Sequence, residues 1–277
     1  MREESAVTFA CGDARLVGIL HRPQPASARG VLIVVGGPQY RAGSHRQFTL
    51  LARALAAQGI PVMRFDYRGM GDSEGAVRDF SAIDQDLRAA LDHFFASVPG
   101  MTDVALWGLC DGATAAGLYA AGDRRVTGLA LLNPWIRTDS GIAAATLKHY
   151  YRARLFERAF WAKLLGGRFD AAAAARSAFK LLRAARAPAP ADASASLPDR
   201  LLSGLTRFDG RVLVMLSGAD LTAQEFAGLA RAPGAWRDLL ASGRVTRHRI
   251  EHADHTCSRR QWQDQLAAWT QHWIGSW

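Results

Sequence analysis

Long apolar stretches are missing from this sequence of 277 residues. No run of about eighteen apolar residues occurs, and a helix that spans a membrane needs about 20 of them in succession. The first five residues, MREES, are charged and lead directly into strand-like sequence, which is unlike a secretory signal. We therefore predict a cytoplasmic protein without a transmembrane helix.

Cysteine is scarce as well. Cys11, Cys110 and Cys257 lie far apart and form no CxxC pair, so the sequence offers neither a disulfide framework nor the spacing of a zinc site. No other pattern suggests a metal or an organic cofactor, and we expect none. We expect Cys11 and Cys257 to be small buried hydrophobic residues. Cys110 is different, because of the motif that surrounds it.

Lysine is also rare, since only three of the 34 basic residues are lysines, and arginine supplies most of the net charge of +9. The excess is concentrated in residues 136–187, which carry 11 basic and 3 acidic residues. Such a segment could face a phosphorylated carrier, a nucleotide-bearing thioester, an acidic polysaccharide or a membrane surface. The alternative is a solvated helical face. We do not expect nucleic acid as a partner, because no recognised binding motif accompanies the charge.

The remaining sequence alternates between short β-branched runs and amphipathic segments. The predicted strands are 7–11, 16–21, 31–35, 62–65, 104–107, 126–132, 211–216 and 245–250. The predicted helices begin at Ser44, Ser81, Asp111, Thr222 and Ser258. This alternation predicts one α/β domain over residues 1–277, with a mostly parallel, doubly wound sheet of eight strands. In such sheets the chemistry lies beyond the carboxyl ends of the strands.

A long interruption, residues 133–209, separates two of the predicted strands. It has an alanine-rich helical pattern as far as residue 186 and then a linker rich in alanine, proline and serine. An insertion at this point would lie over the strand ends as a lid. Its apolar helical face, interleaved with arginine, would pack on the core or line the pocket. The alternative is contact with a membrane surface or an acyl chain.

The most informative motif is Gly108-Leu109-Cys110-Asp111-Gly112, which lies between a predicted strand and a predicted helix. It is the G-x-S-x-G nucleophile elbow with sulfur in place of oxygen. The turn would hold the cysteine at a helix N-terminus, where partial positive charge favours a thiolate. The sequence therefore predicts Cys110 as a nucleophile.

Two further residues follow strand ends in the order expected of a catalytic triad. Asp220 ends a buried strand, and His255 follows the last strand. We predict that His255 is the general base and acid, and that Asp220 orients it and stabilises its charge. His252 is the nearest alternative base and Asp254 the nearest alternative acid.

An oxyanion hole would need two backbone N–H donors. One is expected from Asp111, the residue after the nucleophile, and the other from Gln39, with Gly37 in reserve. Pro38, between them, has no N–H. The alternative for this loop is a plain glycine turn. We expect the Asp111 side chain to interact with the helix N-terminus, and residues 65–73 to be structural support.

These motifs resemble the α/β-hydrolases over nearly the whole chain, and more narrowly the exosortase A system-associated hydrolase 1 family. The matching segments are GGPQYR at 36–41, DYRGMG at 66–71, WGLCDG at 107–112 and DHT at 254–256. The resemblance implies acyl transfer by Cys110, His255 and Asp220. It also implies a bacterial protein associated with exopolysaccharide synthesis and protein sorting.

The choice of sulfur narrows the expected reaction. A thiolate is a good leaving group, so its tetrahedral adduct with an amide tends to expel the thiolate and return the amide. The adducts with esters and thioesters instead lose the alcohol or thiol and give the acyl-enzyme. We therefore predict an acyl-ester or thioester hydrolase, acting on a small-molecule or carrier-bound acyl substrate. The alternatives are an acyltransferase that uses the same three residues and a scaffold that keeps the fold without turnover.

Overall fold

The computed structural model describes residues 2–37, 39–136, 195–231 and 233–277. Within these residues eight strands form a single sheet. The strands are β1 Arg2–Cys11, β2 Ala14–Pro23, β3 Arg29–Val34, β4 Val62–Asp66, β5 Asp103–Leu109, β6 Val126–Leu132, β7 Arg211–Ser217 and β8 Val245–Ile250. They all belong to one structural unit, formed by residues 1–135 and 200–277.

The strand order is β1-β2-β4-β3-β5-β6-β7-β8. β1 and β2 form an antiparallel hairpin at one edge, and β2 is also antiparallel to β4. Every other neighbouring pair, from β4 to β8, is parallel. The prediction of an eight-stranded, mostly parallel sheet is therefore confirmed. Its parallel part brings the carboxyl ends of β3 to β8 to one edge.

The described helices flank this sheet. They are α1 Gln47–Ala56, α2 Asp84–Ser97, α3 Asp111–Tyr119, α4 Leu197–Arg207, α5 Leu221–Leu229, α6 Ala235–Ala241 and α7 Arg260–Ile274. Five of them begin within three residues of a predicted helix start, namely α1, α2, α3, α5 and α7. The helices α4 and α6 were not predicted. No helix in the described part of the chain is long and apolar enough to cross a membrane.

The core lies on both faces of the sheet. On one face Val31 and Ile33 of β3 pack with Phe48 of α1 and Trp262 of α7. Successive strand residues point to opposite faces, so Gly30 points to the other layer. A Cβ there would come within 2.9 Å of the ring of Phe94 of α2. The doubly wound arrangement thus follows from the fully apolar pattern of the central strands.

The predicted helix from Ser44 begins three residues later. Ser44–Arg46 form a 3-10 turn in which His45 and Arg46 have φ of 53° and 60°, so the α-helical path starts only at Gln47. The helix predicted from Ser81 shows the same difference, because Phe80–Ala82 form a 3-10 turn and α2 starts at Asp84.

Most of the predicted insertion, with its basic apolar-faced helix, lies outside the described residues. Its described end is α4. From Arg200 onward this helix belongs to the same unit as the sheet. Leu201 packs against Gly117 of α3. A Cβ on Gly117 would come within 2.6 Å of the Leu201 side chain.

Candidate active site

Cys110 lies at a strained turn between β5 and α3. Its backbone has φ 60° and ψ −123°, a combination that residues other than glycine rarely adopt. The turn holds the side chain above the end of β5 at the N-terminus of α3, where unpaired N–H groups carry partial positive charge. Cys110 is partly exposed, whereas Cys11 and Cys257 are buried. Of the three thiols, solution reagents therefore reach Cys110 most easily.

Glycine is required at the two ends of the elbow because a side chain there would overlap neighbouring backbone atoms. A Cβ on Gly108 would lie 2.5 Å from the backbone nitrogen of Ala113, and one on Gly112 would lie 2.5 Å from the carbonyl oxygen of Val34. Both contacts are with backbone, which cannot move without shifting a strand or α3. The spacing of the motif is therefore a packing requirement of the strand–turn–helix unit.

His255 and Asp220 are hydrogen-bonded to each other at the ends of the last two strands. The Nδ1 atom of His255 donates to Oδ2 of Asp220 at 3.0 Å. The same oxygen accepts the backbone N–H of Ala223 at 3.0 Å, so Asp220 is also the N-cap of α5. The carboxylate is therefore held in place by the helix that it caps.

The surroundings of His255 favour its protonated form. The pKa of His255 is raised from 6.5 to about 10, first by the hydrogen bond to Asp220 and then by a hydrogen bond to Cys110, while burial opposes the rise. Since Nδ1 faces Asp220, the other ring nitrogen is left for the sulfur. The structure thus places His255 in direct contact with Asp220 and close enough to Cys110 for the thiol to raise its pKa.

The alternative base and acid lie away from this chain. His252 is exposed. The carboxylate of Asp254 accepts the backbone N–H of Ser258 at 2.9 Å and also the Ser258 hydroxyl, so it stabilises the turn before α7. Neither residue takes the position that His255 and Asp220 occupy.

The Asp111 side chain connects the elbow to the loop after β3. Its carboxylate accepts the N–H of Gly37 at 2.7 Å and the N–H of Gly112 at 3.0 Å. The bond to Gly112 agrees with the expected interaction at the helix N-terminus, whereas the bond to Gly37 was not predicted. Because the Gly37 N–H is used in this way, Gln39 stays the predicted second oxyanion donor, beside the N–H of Asp111.

Asp111 is tightly enclosed. A Cβ on Gly36 would overlap its carboxylate, so only glycine fits there. Burial raises the pKa of Asp111, against the effect of the N–H groups of Gly37 and Gly112. Burial, followed by the charge of Asp111, raises the pKa of Tyr67 to about 12. Tyr67 is therefore a neutral phenol at neutral pH.

Residues 65–73 support the neighbouring loops, as predicted. Arg68 forms a buried ion pair with Asp86 of α2, with Nη2 2.8 Å from Oδ2. The carboxylate of Asp66 accepts the backbone N–H of Arg41 at 2.7 Å and that of Asp72 at 3.1 Å. Asp66 thereby fixes the loop that carries Gln39.

Motif analysis missed one polar residue at the site, Asn133, which directly follows β6. It is fully buried, has φ 48°, and hydrogen-bonds both to Ser217 and to the main chain of His255. An asparagine between a buried strand and a proline was the available sequence signal. Motif analysis could not assign it partners, because these are 84 and 122 residues away.

The other two cysteines are buried thiols. Burial raises the pKa of Cys257 to about 11 and also raises the pKa of Cys11. Both agree with the expected packing role. Among the described residues, no group of three or more His, Cys, Asp or Glu side chains could hold a metal ion.

Comparison with known proteins gives one family and many similar folds. The model of the family described as serine aminopeptidase, S33, matches residues 26–188. An esterase of Pyrococcus furiosus, Pf2001, is 16% identical with a TM-score of 0.68, over 100% of this chain and 93% of that chain. A dienelactone hydrolase of Anabaena variabilis is 15% identical with a TM-score of 0.63, over 100% and 98%. Est1E of Butyrivibrio proteoclasticus, solved with ferulic acid, is 18% identical with a TM-score of 0.62, over 98% and 100%. The comparison with curated proteins gives no match.

Proposed function

We propose that this chain, which belongs to the α/β-hydrolase family described as serine aminopeptidase, S33, is an acyl-ester or thioester hydrolase whose nucleophile is Cys110. The family description names serine, and this chain has sulfur at the elbow. One observation carries the proposal. His255 contacts Asp220 at 3.0 Å, and Cys110 helps to raise the pKa of His255, where the three residues follow β8, β7 and β5.

The raised pKa of His255 supports a resting state in which the imidazole is protonated and can serve as a positive partner for the sulfur. A thiolate, not a thiol, is the nucleophile, and positive charge beside it keeps it ionised. Asp220 would hold the imidazolium through Nδ1, so that the other nitrogen points to sulfur.

In the first half-reaction the sulfur of Cys110 attacks the substrate carbonyl, and a carbon–sulfur bond forms. The oxygen takes the negative charge and accepts hydrogen bonds from the N–H groups of Asp111 and Gln39. As the adduct collapses, the bond to the leaving oxygen or sulfur breaks, and His255 gives its proton to that group. The product is a thioester on Cys110.

In the second half-reaction water attacks this thioester. His255, now neutral, takes a proton from the water, and the carbon–sulfur bond breaks to release the acid. Sulfur leaves as the thiolate beside the reprotonated imidazole, which restores the starting state. An alcohol or amine in place of water gives the alternative function, acyl transfer with the same residues.

The exposed apolar side chains favour an apolar acyl group. Among the described residues the large hydrophobic side chains that remain exposed are Tyr40, Val77 and Leu221. Each follows the carboxyl end of a strand, after β3, β4 and β7 respectively. An apolar acyl chain that packed on these side chains would gain about 25 cal/mol per Å² removed from water.

The carrier and the cellular setting rest on sequence. The basic residues within 136–187 favour an anionic carrier, such as a nucleotide-bearing thioester or a phosphorylated group. The same charge would permit contact with an anionic membrane surface, which vesicle binding at low salt would reveal. From the motif resemblance we propose a role in exopolysaccharide or exosortase-associated metabolism, and we propose separately that the location is cytoplasmic.

The test is acylation of the intact chain. After brief incubation with p-nitrophenyl acyl esters or acyl-coenzyme A thioesters, intact-mass spectrometry should find one added acyl group, and peptide mapping should place it on Cys110. Cys110→Ala should abolish the adduct. Cys11→Ala is the matched control, because Cys11 is a buried thiol in β1, and it should leave the adduct unchanged.

The outcome separates the proposal from a scaffold without turnover. A catalytic Cys110 should react with iodoacetamide at pH 6 faster than it does in the unfolded chain, whose thiols ionise near 8.5. If folded protein forms no adduct with any donor and Cys110 is alkylated no faster than in the unfolded chain, the scaffold is favoured. Added alcohol or amine acceptors would reveal the acyltransferase.

A further inference from the structure

A single side chain, that of Asn133, joins the ends of β6 and β7 to the loop of His255. Its Oδ1 accepts the backbone N–H of Ser217 at 2.8 Å. Its Nδ2 donates to the Ser217 hydroxyl and to the carbonyl oxygen of His255, both at 2.9 Å. Its backbone N–H donates to the carbonyl of Met215 at 3.0 Å. These four hydrogen bonds of the buried residue all go to β7 or to the His255 loop.

The contacts of Ser217 extend to the carboxylate of the site. Ser217 is the last residue of β7, and its carbonyl accepts the backbone N–H of Asp220 at 3.3 Å. Its hydroxyl lies 3.5 Å from the sulfur of buried Cys257, two residues after His255. Asn133 therefore contacts the start of the turn that ends at Asp220.

The chain that follows Asn133 contacts the nucleophile. Trp135, two residues after Asn133, donates its backbone N–H to the carbonyl of Cys110 at 3.2 Å. The carbonyl of Trp135 in turn accepts the hydroxyl of Thr114, in the first turns of α3, at 2.6 Å. The three residues from 133 to 135 thus contact the elbow at one end and the His255 loop at the other.

We propose that Asn133 is a positioning residue that sets the distance and orientation of His255 relative to Cys110 and Asp220. It touches main chain, not the reacting atoms, so its effect passes through the placement of the imidazole. This role rests on the proposed function of the three residues as a catalytic chain.

The residue type follows from the geometry. Asn133 has φ 48°, a left-handed conformation that asparagine and aspartate tolerate better than most residues. The site needs one acceptor for the Ser217 N–H and one donor for the His255 carbonyl. An amide supplies both, whereas a carboxylate supplies no donor. Losing either bond would leave a buried polar group without a partner.

Two substitutions of the full-length chain test the role. Asn133→Gly keeps the left-handed backbone and adds no charge. Asn133→Asp keeps the shape and the acceptor for Ser217 but removes the donor to His255. The matched control is Thr270→Val, which removes another fully buried hydroxyl. That hydroxyl donates to the Leu266 carbonyl on α7 at 2.7 Å and accepts the indole N–H of Trp107 at 3.2 Å.

The first readout is the pKa of His255, followed by NMR in histidine-labelled protein. In Asn133→Gly we expect it to fall from about 10 toward 6.5, because the ring leaves Asp220 and Cys110. The second readout is the alkylation rate of Cys110 at pH 6, which should fall about tenfold or more, since small misplacements of reacting groups are costly. Thr270→Val should lower the melting temperature and leave both readouts within about twofold of the unmodified chain.

The outcomes distinguish the two proposals. If folded Asn133→Gly keeps the His255 pKa and the alkylation rate of the unmodified chain, the positioning role is wrong. If Asn133→Gly does not fold, the His255 pKa and the Cys110 alkylation rate are measured in Asn133→Asp, and unchanged values there likewise contradict the positioning role. If the unmodified chain takes no acyl group while the His255 pKa still falls in Asn133→Gly, the hydrolase function is wrong and the positioning role stands.

Discussion

Asp220 caps α5 and holds His255 through the same carboxylate, and a substitution can separate these two roles. Its Oδ2 accepts both the Nδ1–H of His255 and the N–H of Ala223 at 3.0 Å. Serine is as good an N-cap as aspartate, but its side chain is one atom shorter and bears no charge. Asp220→Ser should therefore preserve the start of α5 and release the histidine.

The structure sets the size of the effect on stability. One pKa unit corresponds to about 1.4 kcal/mol, so the rise for His255 would be worth about 5 kcal/mol in a fully buried ring. Because 35% of the His255 side chain is exposed, solvent screening reduces this to about 1–2 kcal/mol. Since the folded pKa lies above the unfolded one, this stabilisation is complete below pH 6.5 and is lost as the pH rises through about 10.

Urea unfolding at several pH values checks this sign. Asp220→Ser should unfold about 1–2 kcal/mol more easily at pH 6, and the difference should shrink as the pH approaches 10. Ester hydrolysis at pH 7 should fall by about a hundredfold or more, because the imidazole loses its orienting partner.

The control is Asp254→Ser, which removes a neighbouring carboxylate that bonds to Ser258 instead of His255. It should affect the turn before α7 and leave the pKa of His255 near its present value. The reasoning is refuted if Asp220→Ser hydrolyses esters as fast as the unmodified chain, or if the stability difference grows with pH.

Two further perturbations test other parts of the structure. Burial, followed by the charge of Arg64, lowers the pKa of His21 from 6.5 to about 4. As the pH falls, His21 is therefore protonated in the unfolded chain before it is protonated in the folded chain. Acid should remove about 2–3 kcal/mol of folding stability between pH 6.5 and about pH 4. His21→Gln should flatten the stability curve in that window, as measured by urea unfolding; an unchanged slope would contradict the assignment. Leu221→Ala should lower kcat/KM for a medium-chain acyl ester by roughly fivefold to thirtyfold, at about 0.8 kcal/mol per lost methylene contact, and leave acetyl ester hydrolysis nearly unchanged. Equal losses for both esters would contradict an apolar acyl surface at Leu221.

The sequence was informative wherever local pattern determines structure. Alternation of β-branched runs with amphipathic segments predicted the eight strands, and strand ends predicted that Cys110, Asp220 and His255 would meet at one edge. Boundaries were less accurate where backbone conformation overrode propensity. Ser44 has the right chemistry for an N-cap, but the positive φ of His45 and Arg46 moves the start of α1 to Gln47.

Contacts between distant segments could not be predicted from the motifs. The carboxylate of Asp111 reaches Gly37 only because pairing of β3 with β5 brings the two strand ends side by side. The amide of Asn133 likewise meets Ser217 only because β6 and β7 are neighbours. Each bond depends on sheet order, which an amino-acid pattern does not encode locally. Polar residues just after buried strands are therefore the positions to examine first in such a sequence.

The charge state of His255 is linked to the sulfur at position 110. Cys110 contributes, after Asp220, to the rise of the His255 pKa to about 10, so the imidazole is protonated at neutral pH with sulfur beside it. A free thiol ionises near 8.5, many orders of magnitude more readily than a hydroxyl, so its proton can rest on the imidazole before substrate arrives. The ring then acts first as the acid toward the leaving group and only afterwards as the base toward water. In serine enzymes the same aspartate–histidine pair leaves the imidazole able to take the serine proton, whereas here it would give Cys110 the positive partner that a thiolate needs.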